Sequence, residues 1–309
     1  MPYYLGIDGG GSKTTCAVGD ASLLLATATS GPSNIVRVGE ARARESLHAA
    51  VRQACAAAGI TEQQVERACI GASGAGREET ANLVRQILAE ILPRPSHDAI
   101  RVVADTEIAL AAAFGSGPGV IVIAGTGSIA YGRNAHGQTA RAGGWGFAVS
   151  DEGSAHWIGR AAVAAVLRAT DLTYGAAEQI LHQEFITALC GAGGVTSISD
   201  LARAANAVPP PDFAALFPAV AASKDELALR ILSNAGIELA NIAAIVTRRL
   251  FSDDNKTVPG AMIGGVFRHS MLTRGDFYNE LGRLDPRVTI NPLVVEPVQG
   301  ALQMARAAW

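Results

Sequence analysis

Short β-like runs at Tyr3–Ile7, Thr14–Val18 and Leu23–Thr27 predict three strands with tight connections, an antiparallel meander. Pro32-Ser33-Asn34 is a loop. Glu40–Ala58 then takes helical apolar spacing and stops at Gly59. Arg67–Ala72 reads as a strand, Ser73-Gly74-Ala75-Gly76 as a loop, and Arg77–Leu92 as a helix ended by Pro93 and Pro95. A short buried strand, Val102–Ala104, carries Asp105 at its end, where a helix Thr106–Phe114 begins.

Gly115-Ser116-Gly117-Pro118 marks a domain junction, and beyond it the pattern restarts. Strand Val120–Ala124, glycine hairpin Gly125-Thr126-Gly127-Ser128 and strand Ile129–Gly132 echo the opening unit in form. Two similar α/β halves, residues 1–115 and 116–309, are therefore expected to face each other across a cleft. The second half continues with helices over Glu152–Ala169, Ala176–Leu189, Ile198–Ala205 and Lys224–Phe251, with Pro209-Pro210-Pro211 a loop. Val258–Ile263 is a late strand leading into Gly264-Gly265, and a last helix, able to pack back on the first half, starts near Pro297.

Composition narrows the class. At 309 residues there is core enough for two domains, and 49% hydrophobic against 17% charged residues describes a compact, soluble α/β protein. The net charge of −3 comes without a basic block, which argues against nucleic acid or an anionic membrane as partner. No apolar run reaches the roughly 18–20 residues that span a bilayer, and the N-terminus lacks signal-peptide order, so a cytoplasmic location is expected. Cys16, Cys55, Cys69 and Cys190 form no CxxC pair, and the six histidines show no metal-ligand spacing.

The chemistry-bearing stretch is Leu5–Thr15. A strand ends in Asp8, and Gly9-Gly10-Gly11-Ser12-Lys13-Thr14 follows before the next strand. Consecutive glycines let backbone N–H groups crowd an anion, and a carboxylate beside bound phosphate needs a cation between them. A P-loop is excluded because Ser12 separates Gly11 from Lys13, and the dinucleotide fingerprint because Thr14 replaces its last glycine. Gly125-Thr126-Gly127-Ser128 is a second anion-binding hairpin, and Gly264-Gly265 offers bare backbone to a flat ring. With Asp105 at a strand end, these features imply a nucleoside triphosphate, a Mg²⁺ handle and a general base: kinase logic.

The strings GIDGGGSKTT, VADTEIALAAAF, VIVIAGTGSIAYG, RAGGWGFAVSDEGSAHWIG, MIGGV and VVEPVQGALQMA, in order over nearly the whole chain, resemble the N-acetylglucosamine kinase/BadF-type ATPase branch of the sugar kinase–Hsp70–actin superfamily. The resemblance implies a duplicated ribonuclease-H-like fold closed around ATP and Mg²⁺, and phosphorylation of an amino-sugar 6-hydroxyl. By that analogy Asp8 organises Mg²⁺ through water, residues 9–14 and 125–127 cradle phosphates, and Gly264 and Gly265 flank adenine. Asp105 matches the catalytic base, and Asn34, Gly144, Trp145 and Asp151 match positions lining the sugar pocket. A homodimer is the family's expectation, with the alanine-rich helices of the second half as a possible interface.

Each residue also has a plainer reading. Asp105 could cap the helix it precedes, and Asp151 and Glu152 could serve a helix dipole. Asn34 could shape its loop, Lys13 could be solvated, Ser73 could begin a turn, and His156 reads as a helix-face residue. Ile129 stands where animal N-acetylglucosamine kinases carry asparagine, which leaves N-acetylglucosamine, glucosamine and N-acetylmuramic acid open as substrates. Two rivals remain. One is a BadF-type ATPase activator of an acyl-CoA reductase or dehydratase, which shares a [4Fe–4S] cluster through cysteines. The other is a sensing module without catalysis.

Overall fold

The computed structural model describes residues 2–75, 77–93, 97–172, 182–209, 211–251 and 256–307. Gly76, Pro95, Pro210 and the start of the helix expected from Ala176 lie outside the described residues. The chain divides into two compact units, Met1–Gly117 with Val295–Trp309, and Pro118–Val294.

The first unit opens with strands β1 (Tyr3–Gly9), β2 (Thr14–Gly19) and β3 (Leu24–Ser30). Helices α1 (Ile35–Val38) and α2 (Glu40–Ala57), strand β4 (Val65–Ala72), helix α3 (Glu78–Ala89), strand β5 (Ile100–Ala104) and helix α4 (Asp105–Phe114) follow. The second unit runs β6 (Gly119–Ala124), β7 (Ser128–Arg133), β8 (Thr139–Gly143), α5 (Ala155–Leu172), α6 (Gln183–Ala192), α7 (Ile198–Ala205), α8 (Phe217–Ala222), α9 (Glu226–Leu250), β9 (Val258–Ile263), α10 (Gly265–His269), α11 (Met271–Leu284) and β10 (Val288–Val295). Helix α12 (Pro297–Arg306) returns to the first unit.

The first sheet has the order β3-β2-β1-β4-β5, and the second, read from its other edge, β8-β7-β6-β9-β10. In both, the first strand pairs antiparallel with the second and parallel with the fourth. The duplication is therefore topological, with the order of a ribonuclease-H-like sheet on each side. Sequence patterning did not reveal β8, β10 or α11. Strands β8 and β10 are edges that bury little, β8 only five residues long and β10 interrupted by Pro292, a residue edges tolerate.

Side-chain alternation sorts the first unit into two layers. Leu5 and Ile7 of β1 pack with Leu47, Ala50 and Val51 of α2, whereas Tyr4 packs with Val298, Ala301 and Leu302 of α12 and Ile108 of α4. Glycines let those two helices approach. A Cβ on Gly6 would stand 2.3 Å from the Leu302 nitrogen, and one on Gly300 2.0 Å from the Ile108 carbonyl oxygen. Asp8 shares the parity of Tyr4 and Gly6, so it falls on this same face.

In the second unit, α9 lays Leu239, Ala240, Ala243 and Val246 into the core beside Val120, Val122 and Phe277. Its length and composition would suit a membrane span, yet its apolar residues pack inside the unit. Helix α5 starts at Ala155 rather than at Glu152. Just before it Asp151 takes φ 64° and Gly153 φ 77°, where a Cβ would meet the Ala235 carbonyl at 2.6 Å.

Candidate active site

In the first unit the site candidates gather at the C-terminal ends of β1, β4 and β5. The Gly10 N–H donates to the Lys13 carbonyl at 3.0 Å, closing the hairpin over Gly11 and Ser12. The Gly10 carbonyl accepts from the N–H groups of Ser33 (3.1 Å) and Asn34 (3.3 Å). Thr14 is fully buried. Its hydroxyl donates to the Gly31 carbonyl at 2.8 Å and lies 2.7 Å from the Ser33 hydroxyl, so its side chain braces the hairpin from beneath. Ser33, which sequence reading treated as loop, is thus part of the scaffold.

Asn34 caps α1, its side-chain oxygen accepting from the Arg37 N–H at 3.3 Å. That oxygen also stands 3.5 Å from the place a Cβ on Gly74 would occupy, so Asn34 borders the loop after β4.

Ser73 ties the hairpin to Asp105. Its N–H donates to the Gly9 carbonyl at 2.9 Å, and its hydroxyl donates to Asp105 Oδ2. Asp105 Oδ1 accepts from the Thr106 N–H at 2.9 Å. The N-cap of α4 is Ala104, and Asp105 occupies the first helical position. Both carboxylate oxygens therefore have a donor, and the side chain is held in one orientation.

Asp8 is half-buried between these parts. Burial, then the Asp105 carboxylate, push its pKa from the ordinary 3.8 to about 7; Lys13 opposes the rise and Glu296 adds to it. Glu296, which carried no role in the sequence reading, stands just ahead of α12 and adds negative charge here. Among the described residues no group of three His, Cys, Asp or Glu side chains is placed to hold a metal ion.

The second unit builds its own cluster around the β6–β7 hairpin. The Gly125 N–H donates to the Gly127 carbonyl at 2.9 Å, and the Gly125 carbonyl accepts from Ala155 of α5 at 2.8 Å. The hairpin glycines serve different ends. A Cβ on Gly127 would stand 2.7 Å from Asp151 Oδ2, whereas one on Gly125 would meet nothing within 4 Å. After β9 the pattern repeats: Gly264, at φ 105°, has no room for a Cβ, which would lie 2.3 Å from the Ala124 carbonyl oxygen. Gly265 borders space, with His269 Cδ2 nearest at 3.9 Å. Both glycines of the expected platform, Gly264 and Gly265, are half-buried, Gly264 seated against Ala124 and Gly265 bordering space.

Asp151 is buried and links this hairpin to the loop after β8, its Oδ1 accepting from the Gly146 N–H at 3.2 Å. Burial raises its pKa, the Gly146 N–H lowers it, and Glu152 raises it. Few non-glycine residues tolerate the left-handed backbone that Asp151 adopts; short polar side chains do so best. Gly144 lies over Ile129, where a Cβ would be 2.8 Å from Ile129 Cδ1. Glu152 accepts from the Ser150 hydroxyl at 3.1 Å. Trp145 is 71% exposed, and Arg141 stacks on it with its guanidinium carbon 4.1 Å from the ring centroid. His156 is buried with its ring 4.8 Å from Phe147 and 5.3 Å from Phe213, a packed position.

Comparison with known proteins gives a consistent result. An N-acetylmuramic acid/N-acetylglucosamine kinase from Clostridium acetobutylicum is 32% identical over 99% of both chains. An N-acetyl-D-glucosamine kinase from Dictyostelium discoideum is 36% identical over 54% of this chain and 55% of its own. The crystal structure of a protein from Chromobacterium violaceum, assigned as an N-acetylglucosamine kinase, superposes with a TM-score of 0.73 at 26% identity, covering 99% of each chain. The model of the BadF/BadG/BcrA/BcrD ATPase family matches residues 5–305. With nearly its whole length matched, the chain belongs to the BadF/BadG/BcrA/BcrD ATPase family.

Proposed function

We propose that this chain is an ATP-dependent amino-sugar kinase acting on the 6-hydroxyl of N-acetylglucosamine or a close relative such as N-acetylmuramic acid. The observation that carries this reading is the end-to-end 32% identity with the Clostridium acetobutylicum kinase. Asp105 is the general base. Held by Ser73 and Thr106, it presents one fixed carboxylate to the sugar hydroxyl and takes up its proton as the new O–P bond forms. MgATP, when bound, supplies the phosphoryl group.

Two features support a nucleotide fit. The Gly10 and Gly125 N–H groups close their turns, and residues 9–14 and 125–127 of these two hairpins would cradle the phosphates. Gly125 and Gly265 border open space where a Cβ would intrude on a ligand. Asp8 suits Mg²⁺ through water. A lone carboxylate that burial and two acidic neighbours make costly to ionise gains from a nearby dication, and Mg²⁺ retains several waters when carboxylate ligands are few. The sugar contacts we assign are Asn34 in the first unit and Gly144, Trp145 and Asp151 in the second.

The activator reading is disfavoured by the cysteines. All four are buried in hydrophobic cores, and burial pushes the Cys55 and Cys69 thiols up to about 12. None is presented for sharing a cluster with a second subunit.

A coupled ADP-release assay over N-acetylglucosamine, N-acetylmuramic acid, glucosamine, N-acetylmannosamine and glucose tests the proposal. Turnover should appear with an N-acetylated hexosamine, and Asp105→Asn should lower kcat by about 10²–10⁴-fold. A flat response to every sugar defeats the kinase reading; near-full activity of Asp105→Asn defeats the base assignment.

A further inference from the structure

One oxygen of a buried carboxylate in the second unit has no donor. Asp151 is 8% exposed at φ 64°, and its Oδ1 takes the Gly146 N–H at 3.2 Å. Among the described residues no donor reaches Oδ2 and no cation pairs with the carboxylate. Glu152, the charged neighbour that acts on Asp151, is itself acidic. Burying a carboxylate with one oxygen bare is costly, so what the position lacks is a donor from outside the chain.

That bare oxygen is the one turned to the β6–β7 hairpin. A Cβ on Gly127 would stand 2.7 Å from Oδ2, 3.4 Å from Cγ and 4.0 Å from Oδ1. The hairpin is held in place beside it. The Gly125 and Thr126 carbonyls accept from the N–H groups of Ala155 (2.8 Å) and His156 (3.4 Å) at the start of α5. The Ser128 hydroxyl donates to the Glu152 carbonyl at 2.7 Å. On the other side, the Ser150 and Val149 N–H groups donate to the Gly146 carbonyl at 2.9 and 3.2 Å, closing the loop after β8. One hydrogen-bonded stretch, residues 146–156, thus joins that loop to the hairpin, and the Asp151 side chain touches both.

Resting on the amino-sugar kinase reading, we propose that Asp151 couples the two ligands of the second unit: its unpaired oxygen repels nucleotide phosphates at the hairpin until a sugar hydroxyl donates to it. Like charges this close, and partly shielded from water, oppose each other strongly. A hydroxyl donor satisfies Oδ2 and draws it towards the sugar loop, so the hairpin takes an anion at lower cost. The coupling is reciprocal, and nucleotide therefore tightens sugar by the same factor. Phosphate is held firmly only once its acceptor is present.

Titration calorimetry with the Mg²⁺ complex of the non-hydrolysable β,γ-imido analogue of ATP tests this without turnover. Saturating N-acetylglucosamine or N-acetylmuramic acid, whichever turns over faster, should tighten the analogue on the wild-type chain by about 5–150-fold, the usual size of coupling between sites. Asp151→Asn keeps the Gly146 contact, tolerates the left-handed backbone and removes the charge. Without sugar it should bind the analogue tighter than wild type by about the same 5–150-fold, and added sugar should then change little. AMP, which lacks the outer phosphates, should bind both chains alike. An Asp151→Asn affinity no tighter than wild type in the absence of sugar overturns the inference, and so does a wild-type affinity that sugar leaves unchanged. An equal gain for AMP overturns it as well, since the change is then structural. None of these three results touches the kinase reading, which turnover decides. Absence of analogue binding by both chains, with and without sugar, overturns the inference and the ATP site together.

Discussion

Asp8 offers a test that needs neither substrate nor assay of turnover. In the folded chain its carboxyl stays protonated up to about pH 7, whereas an unfolded aspartate releases its proton at the ordinary 3.8. Folding therefore takes up a proton between those values, and stability is lost as pH rises through the window. Going from about pH 5 to about pH 8.5 crosses roughly two units of it, at about 1.4 kcal/mol each, or about 3 kcal/mol. Asparagine has the same shape and never ionises. Urea unfolding followed by circular dichroism, without Mg²⁺ or nucleotide, should find the stability of Asp8→Asn relative to wild type rising by about 3 kcal/mol between about pH 5 and about pH 8.5. Adding MgATP should then stabilise the wild-type chain and leave Asp8→Asn little changed. A stability difference that is the same at both pH values would refute the argument that burial and two neighbouring acids hold Asp8 protonated.

Two further substitutions probe the glycines. Gly127→Ala puts a methyl 2.7 Å from Asp151 Oδ2, so it should raise KM for the sugar by displacing Asp151 while the far-UV spectrum stays unchanged. Gly300→Ala forces a Cβ to within 2.0 Å of the Ile108 carbonyl, between two helices that cannot part without losing β1 packing. Thermal unfolding should show a loss of at least about 1–3 kcal/mol, the usual cost of overpacking.

Sequence reading succeeded where a local signal carries the structure. Both glycine hairpins, the strands that flank them and Asp105 at the end of β5 are local features, each with its own punctuation. It failed where the signal is tertiary. Thr139–Gly143 is short and apolar only through alanine, and Val288–Val295 is broken by Asn291-Pro292, so neither edge strand, burying little, announces itself. Helix α5 was expected from Glu152, since acids favour a helix start, but close packing against Ala235 and Leu239 turns the chain left-handed there first. Gly264 resembled Gly265 in sequence, and only the approach of Ala124 separates a packing glycine from one that borders space. Arg141 and Glu296 lie in quoted motifs yet had no assignable role, because stacking on Trp145 and charge near Asp8 arise from residues remote in the chain or turned by a loop.

The seating of α12 on Gly6 bears on how the protein is made. Helix α12 emerges from the ribosome after the entire second unit, and it covers the sheet face beside Tyr4, Ala17, Cys69 and Ile108. Until it arrives, that apolar face of the first unit is bare, and the Asp8 neighbourhood lacks Glu296 and one of its walls. Synthesis thus delivers this cover of the first sheet only after the whole second unit. A chain interrupted anywhere in the second unit leaves a half-covered sheet for chaperones to hold.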